Sequence, residues 1–375
     1  MTPDTFIGKH KYELDTPCLI IDIDSLKRNL MIMQNFGKRN NIAIRPHTKT
    51  HKCSKLAQLQ IDYGAIGVCA TKVSEAEVLI NHEINKILIT SPVVTPTKLK
   101  RLSYCIQKSS EVMVVVDNLG NANDLNELGK QLNKPIKVLI DLDSGIGRTG
   151  IKNSEAVDFA KQLSHYPFLA LSGIQCYAGN LQHIQSYQER KQRSLMVMKQ
   201  ASLILKQLRE AGFQCDILTG TGTGTYDIDC QDTLITEIQP GSYTVMDVEY
   251  FEIESEHGKK FNTFAHSMTL LSTVISSNRK EHVTVDSGTK GIYVDNHHKP
   301  IIVNHEGLIY DWNGFGDEHG KIMATNGGPL PLNGTVLEMI VPHCDPTINL
   351  YDHFYMTQND VVIDVWQIDM RGKAQ

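Results

Sequence analysis

The chain has no apolar run approaching the length of a membrane span and no polybasic stretch, which excludes a membrane helix and an electrostatic membrane anchor from the expected features. Charge of one sign is missing too. The 37 Lys and Arg against 42 Asp and Glu leave a net charge of −5 and a pI near 6.3, so no broad basic field exists to hold nucleic acid. The eight cysteines, Cys18, Cys53, Cys69, Cys105, Cys176, Cys215, Cys230 and Cys344, form no CxxC pair and no disulfide-like framework, and they read as buried, reduced thiols. Residues 1–15 are polar and mixed in charge, without the apolar core of a signal peptide, so a cytoplasmic location is expected. With 41% hydrophobic and 21% charged residues, the composition matches ordinary soluble enzymes and excludes disordered or fibrous classes. A small-molecule partner is expected.

What is present is a repeated pattern. Short apolar, β-branched runs at residues 42–47, 65–70, 86–91, 112–117, 136–143, 168–177, 215–219 and 234–239 mostly precede stretches with helical spacing. Eight βα units make a barrel. At 375 residues the chain is long enough for a barrel and a smaller second domain. After residue 253 the texture changes to short strand-like runs separated by Gly, Asn and Pro, such as 269–276, 282–286 and 361–368. The expected architecture is therefore α/β: a TIM-type (β/α)8 barrel over residues 24–253, and a smaller all-β domain over 254–375 to which residues 1–23 contribute a strand. Ser74-Glu75-Ala76-Glu77 opens one barrel helix, and residues 181–211 form an unusually long one.

In such a barrel the chemistry sits at the C-terminal ends of the strands, with phosphate often at the loops after strands seven and eight. The first run ends in Arg45-Pro46-His47-Thr48-Lys49-Thr50-His51-Lys52. A lysine among cationic and imidazole neighbours can condense with an aldehyde, so Lys49 is the candidate Schiff-base lysine, and a solvated basic loop is the alternative. After strand seven comes Thr219-Gly220-Thr221-Gly222-Thr223-Gly224-Thr225, and after strand eight Gly241-Ser242-Tyr243. Glycines let backbone N–H groups approach an anion, and threonines add hydroxyl donors. Gly222, Thr223, Gly241, Ser242 and Tyr243 are the candidate phosphate contacts. The segment from Asp141 to Gly150 could project Arg148 from the mouth toward a cofactor ring, or tie it to Asp141 or Asp143 in a salt bridge. Strand six delivers Tyr177 and, further on, His183. In the second domain His343-Cys344-Asp345-Pro346-Thr347 places an imidazole and a carboxylate two residues apart, on one side of an extended chain. His343 and Asp345 would suit Mn²⁺, Mg²⁺ or Zn²⁺.

Together these segments resemble the D-threonine aldolase and D-serine dehydratase-like family of alanine-racemase-like enzymes, over nearly the whole chain from Thr16-Pro17-Cys18-Leu19 to the last β segment. The resemblance implies pyridoxal 5'-phosphate (PLP) bound by Lys49, and cofactor contacts from Thr223, Gly241, Ser242, Tyr243, Arg148 and Tyr177. It also implies a metal pair at His343 and Asp345, and a homodimer with sites near the subunit interface. Thr71 stands where some relatives carry a Gln that touches the cofactor. The dehydratase branch tends to have Cys at the position of Asp345, so the aldolase branch is the closer match. The implied reaction is retro-aldol cleavage of a D-3-hydroxy amino acid such as D-threonine, with a base, His183 or a metal-bound water, taking the hydroxyl proton. The alternatives are a dehydratase of D-serine or 3-hydroxy-D-aspartate, a 3-hydroxy-D-aspartate aldolase, and a non-catalytic PLP carrier. The long C-terminal region and the His343/Asp345 pair weigh against the carrier.

Overall fold

Runs such as Met113-Val114-Val115-Val116 are apolar at every position and wholly buried, as a parallel strand covered on both faces must be. The computed structural model describes residues 2–375 except Asp232, Asp295, Asn296, Trp312 and Asn313. The chain divides into two units, one of Met33–Lys49, Leu56–Gly241 and Gly372–Gln375, the other of Met1–Ile32, Thr50–Lys55 and Ser242–Arg371.

The strands in chain order are β1 (Cys18–Asp22), β2 (Ala43–Ile44), β3 (Val68–Ala70), β4 (Ile87–Ile89), β5 (Met113–Val116), β6 (Ile136–Asp141), β7 (Leu169–Cys176), β8 (Ile217–Gly220) and β9 (Glu237–Ile238). Strands β2 to β9 form an eight-stranded parallel sheet in the order β2-β9-β8-β7-β6-β5-β4-β3. A parallel bridge between His47 and Cys69 joins its two ends, so the sheet closes on itself. All eight expected barrel strands form, nearly all shorter than their apolar runs. The helices are α1 (Ile23–Asn40), α2 (Ser54–Asp62), α3 (Val73–Asn81), α4 (Pro96–Lys108), α5 (Leu119–Leu132), α6 (Ala156–Leu163) and α7 (Tyr187–Glu210), followed by the short α8 (Val248–Glu252) and α9 (Cys344–Ile348). No helix among the described residues is long and apolar enough to cross a membrane.

The side chains of the barrel sort into layers. Cys69, Leu88, Met113, Val115 and Leu139 pack as one apolar cluster. Two residues further along the same strand faces stand Thr90 and Asp141. Asp141 accepts a bond from Gln175 (2.9 Å), whose amide also reaches the Thr90 carbonyl (3.1 Å), and Gln239 bonds Thr219 (2.9 Å). The barrel is thus greasy below and polar at the ends where chemistry is expected.

The other unit is mainly sheet, with β10 (Met268–Ser276), β11 (Val283–Val285), β12 (Ile301–Ile302), β13 (Leu308–Asp311), β14 (Gly320–Ala324), β15 (Val336–Ile340), β16 (His353–Gln358) and β17 (Val361–Gln367). β1 lies between β10, antiparallel, and β16, parallel. Its core gathers Phe6, Leu14, Cys18, Ile20, Leu271, Tyr355 and Val362. α8, α9 and part of α1 make it less than purely β.

Candidate active site

The cationic segment after β2 is not a solvated loop, because Arg45, His47, Thr48, Thr50 and His51 are all buried. Arg45 forks onto Glu237, with Nε to Oε1 at 2.8 Å and Nη2 to Oε2 at 3.0 Å. Burial works against its charge, but Glu237 more than restores it and raises its pKa. Arg45 therefore ties the end of β2 to its neighbour β9. His47 accepts the Lys49 N–H on Nδ1 (3.3 Å) and meets the Thr90 hydroxyl through Nε2 (3.0 Å), a pattern that assigns the Nε2–H tautomer. Thr48 donates to the Cys69 carbonyl (2.8 Å). These bonds fix the main chain leading into Lys49, whose side chain is half-buried. At the end of β3, Glu75 accepts the N–H groups of Thr71 (2.7 Å) and Lys72 (3.1 Å), whereas the buried Thr71 hydroxyl has no hydrogen-bond partner among the described residues. Such a hydroxyl is open to a water or a ligand atom.

After β6, Asp143 takes the N–H groups of Gly145 and Gly147, both at 2.9 Å, and Asp141 takes the Thr149 hydroxyl at 2.7 Å. Both carboxylates are occupied, and no ion pair of Arg148 with either is found among the described residues. Its guanidinium instead sits 5.6 Å from the ring centroid of Tyr177. The Ser144 hydroxyl donates to the Tyr177 carbonyl (2.8 Å), tying the loops after β6 and β7 together. His183, further along the second loop, is exposed.

The Thr-Gly loop leaves β8 and makes a 3-10 turn at Thr223–Thr225. Gln182 braces it, accepting the Gly224 N–H (3.0 Å) and donating to the Thr225 hydroxyl (3.1 Å). Any Cβ at Gly222 would lie 2.5 Å from Gln182 Oε1, and one at Gly224 only 2.1 Å from the Gln182 main-chain oxygen. The loop hydroxyls do not all face outward as donors. Thr221 and Thr225 both donate to the buried Asp229, at 2.8 and 2.7 Å, and Thr219 is bonded by Gln239. Gly222 and Thr223, both buried, occupy the centre of the loop, and Gly241 ends the long middle segment of this unit. A glycine-threonine turn at the end of a barrel strand, an orphaned hydroxyl on Thr71 and a half-buried lysine fit a phosphorylated aldehyde such as PLP.

Ser242, Tyr243, His343 and Asp345 belong to the other unit. Tyr243 is 1% exposed and packs edge-on against Phe264, with centroids 5.6 Å apart. Ser242 Oγ lies 3.5 Å from an Asp345 oxygen. The extended chain expected through His343 and Asp345 is not what forms. His343 is extended, but it is the N-cap of α9, and Asp345 lies in the first turn of that helix. Asp and Pro at consecutive positions of a first helical turn suit the helix dipole and its unpaired N–H groups, which is why the chain turns here.

His343 Nδ1 lies 3.0 Å from Asp247 and 3.1 Å from Glu249. Burial alone would lower its pKa, but the bond and charge of Asp247, with Asp345 and Glu249, raise it to about 9. Burial would push the Asp247 carboxyl up, yet the bonds from His343 and from the Tyr250 and Cys344 N–H groups hold it below the usual carboxylate range. Carboxylates gathered around an imidazole make a site where a cation can take the place of the imidazole's second proton. The donor set of imidazole and carboxylate oxygens fits a divalent ion of the Mn²⁺, Mg²⁺ or Zn²⁺ kind. Asp247, His343 and the Cys344 thiol offer ligand atoms within 4.8 Å of one another. The thiol is the weakest of these, because burial holds its pKa far above the ordinary value and keeps it protonated. Asp247 on Nδ1 is instead the partner that orients a metal-binding imidazole, making Nε2 the nitrogen through which His343 would hold an ion.

Comparison with known proteins shows the fold and the family. The chain matches the family models "Alanine racemase, N-terminal domain" over residues 21–248 and "Putative serine dehydratase domain" over 267–357. D-threonine aldolase from Arthrobacter sp. is 35% identical over 373 residues, covering 99% of this chain and 97% of the relative. 3-Hydroxy-D-aspartate aldolase from Paracoccus denitrificans (strain Pd 1222) is 32% identical over 371 residues, covering 98% and 95%. The crystal structure of D-threonine aldolase from Filomicrobium marinum has a TM-score of 0.93 at 32% identity, with 100% of both chains covered. Barrel, mouth lysine and sheet unit define an alanine-racemase-like enzyme. Within that class the chain belongs to the D-threonine aldolase family, and it is a PLP-dependent lyase.

Five residues that carry these sites escape a sequence reading: Asp247, Glu249, Gln182, Arg190 and Asp229. Asp247 carries a local signal, since it caps α8 by accepting the Tyr250 N–H (2.9 Å), but that signal reports only a helix start.

Proposed function

We propose that this chain cleaves D-3-hydroxy amino acids of the D-threonine type to glycine and an aldehyde, using PLP and a divalent metal. Lys49 would hold the cofactor's aldehyde carbon. Gly222, Thr223, Gly241 and Ser242 would take its phosphate, with the Tyr243 main chain beside them. Arg148, stacked on Tyr177, and the Thr71 hydroxyl would face its ring. When bound, PLP supplies an electron sink for negative charge at the substrate's α-carbon. His343 and Asp345 would hold the metal, which supplies a Lewis acid that makes a hydroxyl easier to deprotonate. His183, exposed on the loop after β7, is the side chain proposed to accept that proton. We take the working unit to be a cytoplasmic homodimer.

One observation carries this reading: the His343 imidazole is clamped by Asp247 and Glu249, with the Asp345 carboxylate two residues on. A non-catalytic PLP carrier has no use for such a donor set. A second reading, cleavage of 3-hydroxy-D-aspartate to glycine and glyoxylate, draws support from the Paracoccus relative. Dehydration of D-serine or 3-hydroxy-D-aspartate is the third.

The test is product identification from each D-3-hydroxy amino acid with purified protein. Glycine and acetaldehyde from D-threonine support the proposal, glycine and glyoxylate from 3-hydroxy-D-aspartate alone support the second reading, and pyruvate or oxaloacetate the third. A chelated sample should lose turnover and keep its cofactor absorbance, and Lys49→Ala should lose the visible absorbance of bound PLP. Turnover unaffected by chelation would remove the metal.

A further inference from the structure

A carboxylate lies beneath the loop assigned to the cofactor's phosphate. Asp229 is 2% exposed and accepts three hydroxyl groups, from Ser194 on α7 and from Thr221 and Thr225 at the two ends of the Thr-Gly turn. A negative charge is a poor neighbour for a phosphate, so its use there needs a reason other than electrostatic attraction.

The reason lies in the backbone. Thr221 has φ +69°, in the left-handed region that β-branched residues strongly avoid. Residues are held in such conformations by their surroundings, and here the Thr221 hydroxyl is pinned to the Asp229 carboxylate at 2.8 Å. The same carboxylate holds Thr225 at 2.7 Å. Between those anchors run Gly222, Thr223 and Gly224. The carbonyl of Gly224 accepts a bond from the wholly buried Arg190 (2.8 Å), so the far end of the turn is fastened a second time. We propose that Asp229 is the positioning residue of the phosphate loop, tying Thr221 and Thr225 so that the main chain between them keeps the curve that grips a phosphate monoester. This inference rests on the reading of that loop as the cofactor phosphate site.

Charge and geometry give opposite signs for Asp229→Ala. Removing a negative charge near the phosphate would tighten PLP binding. Both loop hydroxyls bond the same carboxylate oxygen, which an asparagine amide could still offer them, whereas alanine removes every acceptor, frees both anchors and loosens it. The experiment titrates cofactor-free wild type and Asp229→Ala with PLP and with pyridoxal, which lacks the phosphate, following the visible absorbance of the bound aldehyde. The expected result is a loss of roughly tenfold or more in PLP affinity, with pyridoxal affinity changed by less than about twofold. PLP affinity unchanged or improved, or an equal fall for both ligands, overturns the proposal. Should Asp229→Ala fail to fold, Thr225→Val and Thr225→Ser carry the same comparison. The valine variant, lacking the hydroxyl, should lose PLP selectively and the serine variant should retain it, and equal behaviour of the two overturns the proposal. A wild type that binds PLP no better than pyridoxal sinks the phosphate-site reading itself, before any variant is compared.

Discussion

Asp247 holds His343 from across 96 residues of chain, with Nδ1 and the carboxylate 3.0 Å apart and the carboxylate wholly buried. The same oxygen accepts the Cys344 N–H at 2.9 Å. Ring and backbone are thus both referred to one buried group, and the orientation of the imidazole is set before any ion arrives.

The first prediction concerns that relationship. Asp247→Asn keeps the volume but replaces the oxygen that fixes the Nδ1–H tautomer. Loss of such an orienting partner lowers metal affinity by ~10- to 100-fold. Mn²⁺ titration by calorimetry should register this loss, while PLP absorbance stays at the wild-type value. Unchanged Mn²⁺ affinity would mean that Asp247 does not orient a metal ligand.

The barrel was legible from sequence because parallel strands buried on both faces must be written as continuous apolar runs, as Ile87-Leu88-Ile89 in β4 shows. The segment around Lys49 stood out because a cationic stretch follows the first of those runs. What stayed hidden depends on distant pairings. Asp229 is joined to Ser194, 35 residues earlier on α7, and Gln182 meets Gly224 at 42 residues' separation. No local spacing encodes such contacts. Arg45 was misleading for the same reason, since the Glu237 that neutralises it lies 192 residues on.

That ion pair supports a prediction about stability. Arg45 and Glu237 are buried, with side chains 7% and 4% exposed. Removing one partner strands the other charge in a low-dielectric interior, at a cost of about 3–5 kcal/mol. Arg45→Met and Glu237→Leu should each lower the unfolding midpoint sharply, and the double variant should be more stable than either single one. Additive losses in a thermal or urea denaturation cycle would show that the pair is not coupled as drawn.

Asp229 also makes a pH prediction for the cofactor-free protein. Burial raises its pKa to about 6, although the hydroxyls of Ser194, Thr225 and Thr221 pull the other way. In the unfolded chain it titrates near the ordinary value of about 3.9. Between roughly pH 4 and pH 6 the folded state therefore binds more protons, and its stability falls as pH rises. Asp229→Asn removes this titration. Relative to wild type, the variant should gain on the order of 2 kcal/mol between pH 4 and pH 7, whatever its offset at pH 4. Asp141 shifts the same way but is present in both proteins, so it cancels from the difference. A stability difference independent of pH across this window would refute the assignment.

The last prediction ranks two glycines of one loop. A methyl at Gly222 would press on the Gln182 side chain, 2.5 Å from Oε1 and 2.7 Å from Cδ. Side chains can withdraw, although here at the expense of the bonds to the Gly224 N–H and the Thr225 hydroxyl. A methyl at Gly224 would press on main chain, 2.1 Å from the Gln182 carbonyl oxygen and 3.0 Å from its carbon. Main chain held at the end of a 3-10 turn cannot yield without moving the loop after β7. Overpacking of this kind costs about 1–3 kcal/mol. Gly224→Ala should therefore lose more thermal stability and more PLP affinity than Gly222→Ala, measured side by side by melting and by cofactor titration. The reverse order would mean that Gln182 yields less easily through its side chain than through its backbone, and the bracing role assigned to it would fall.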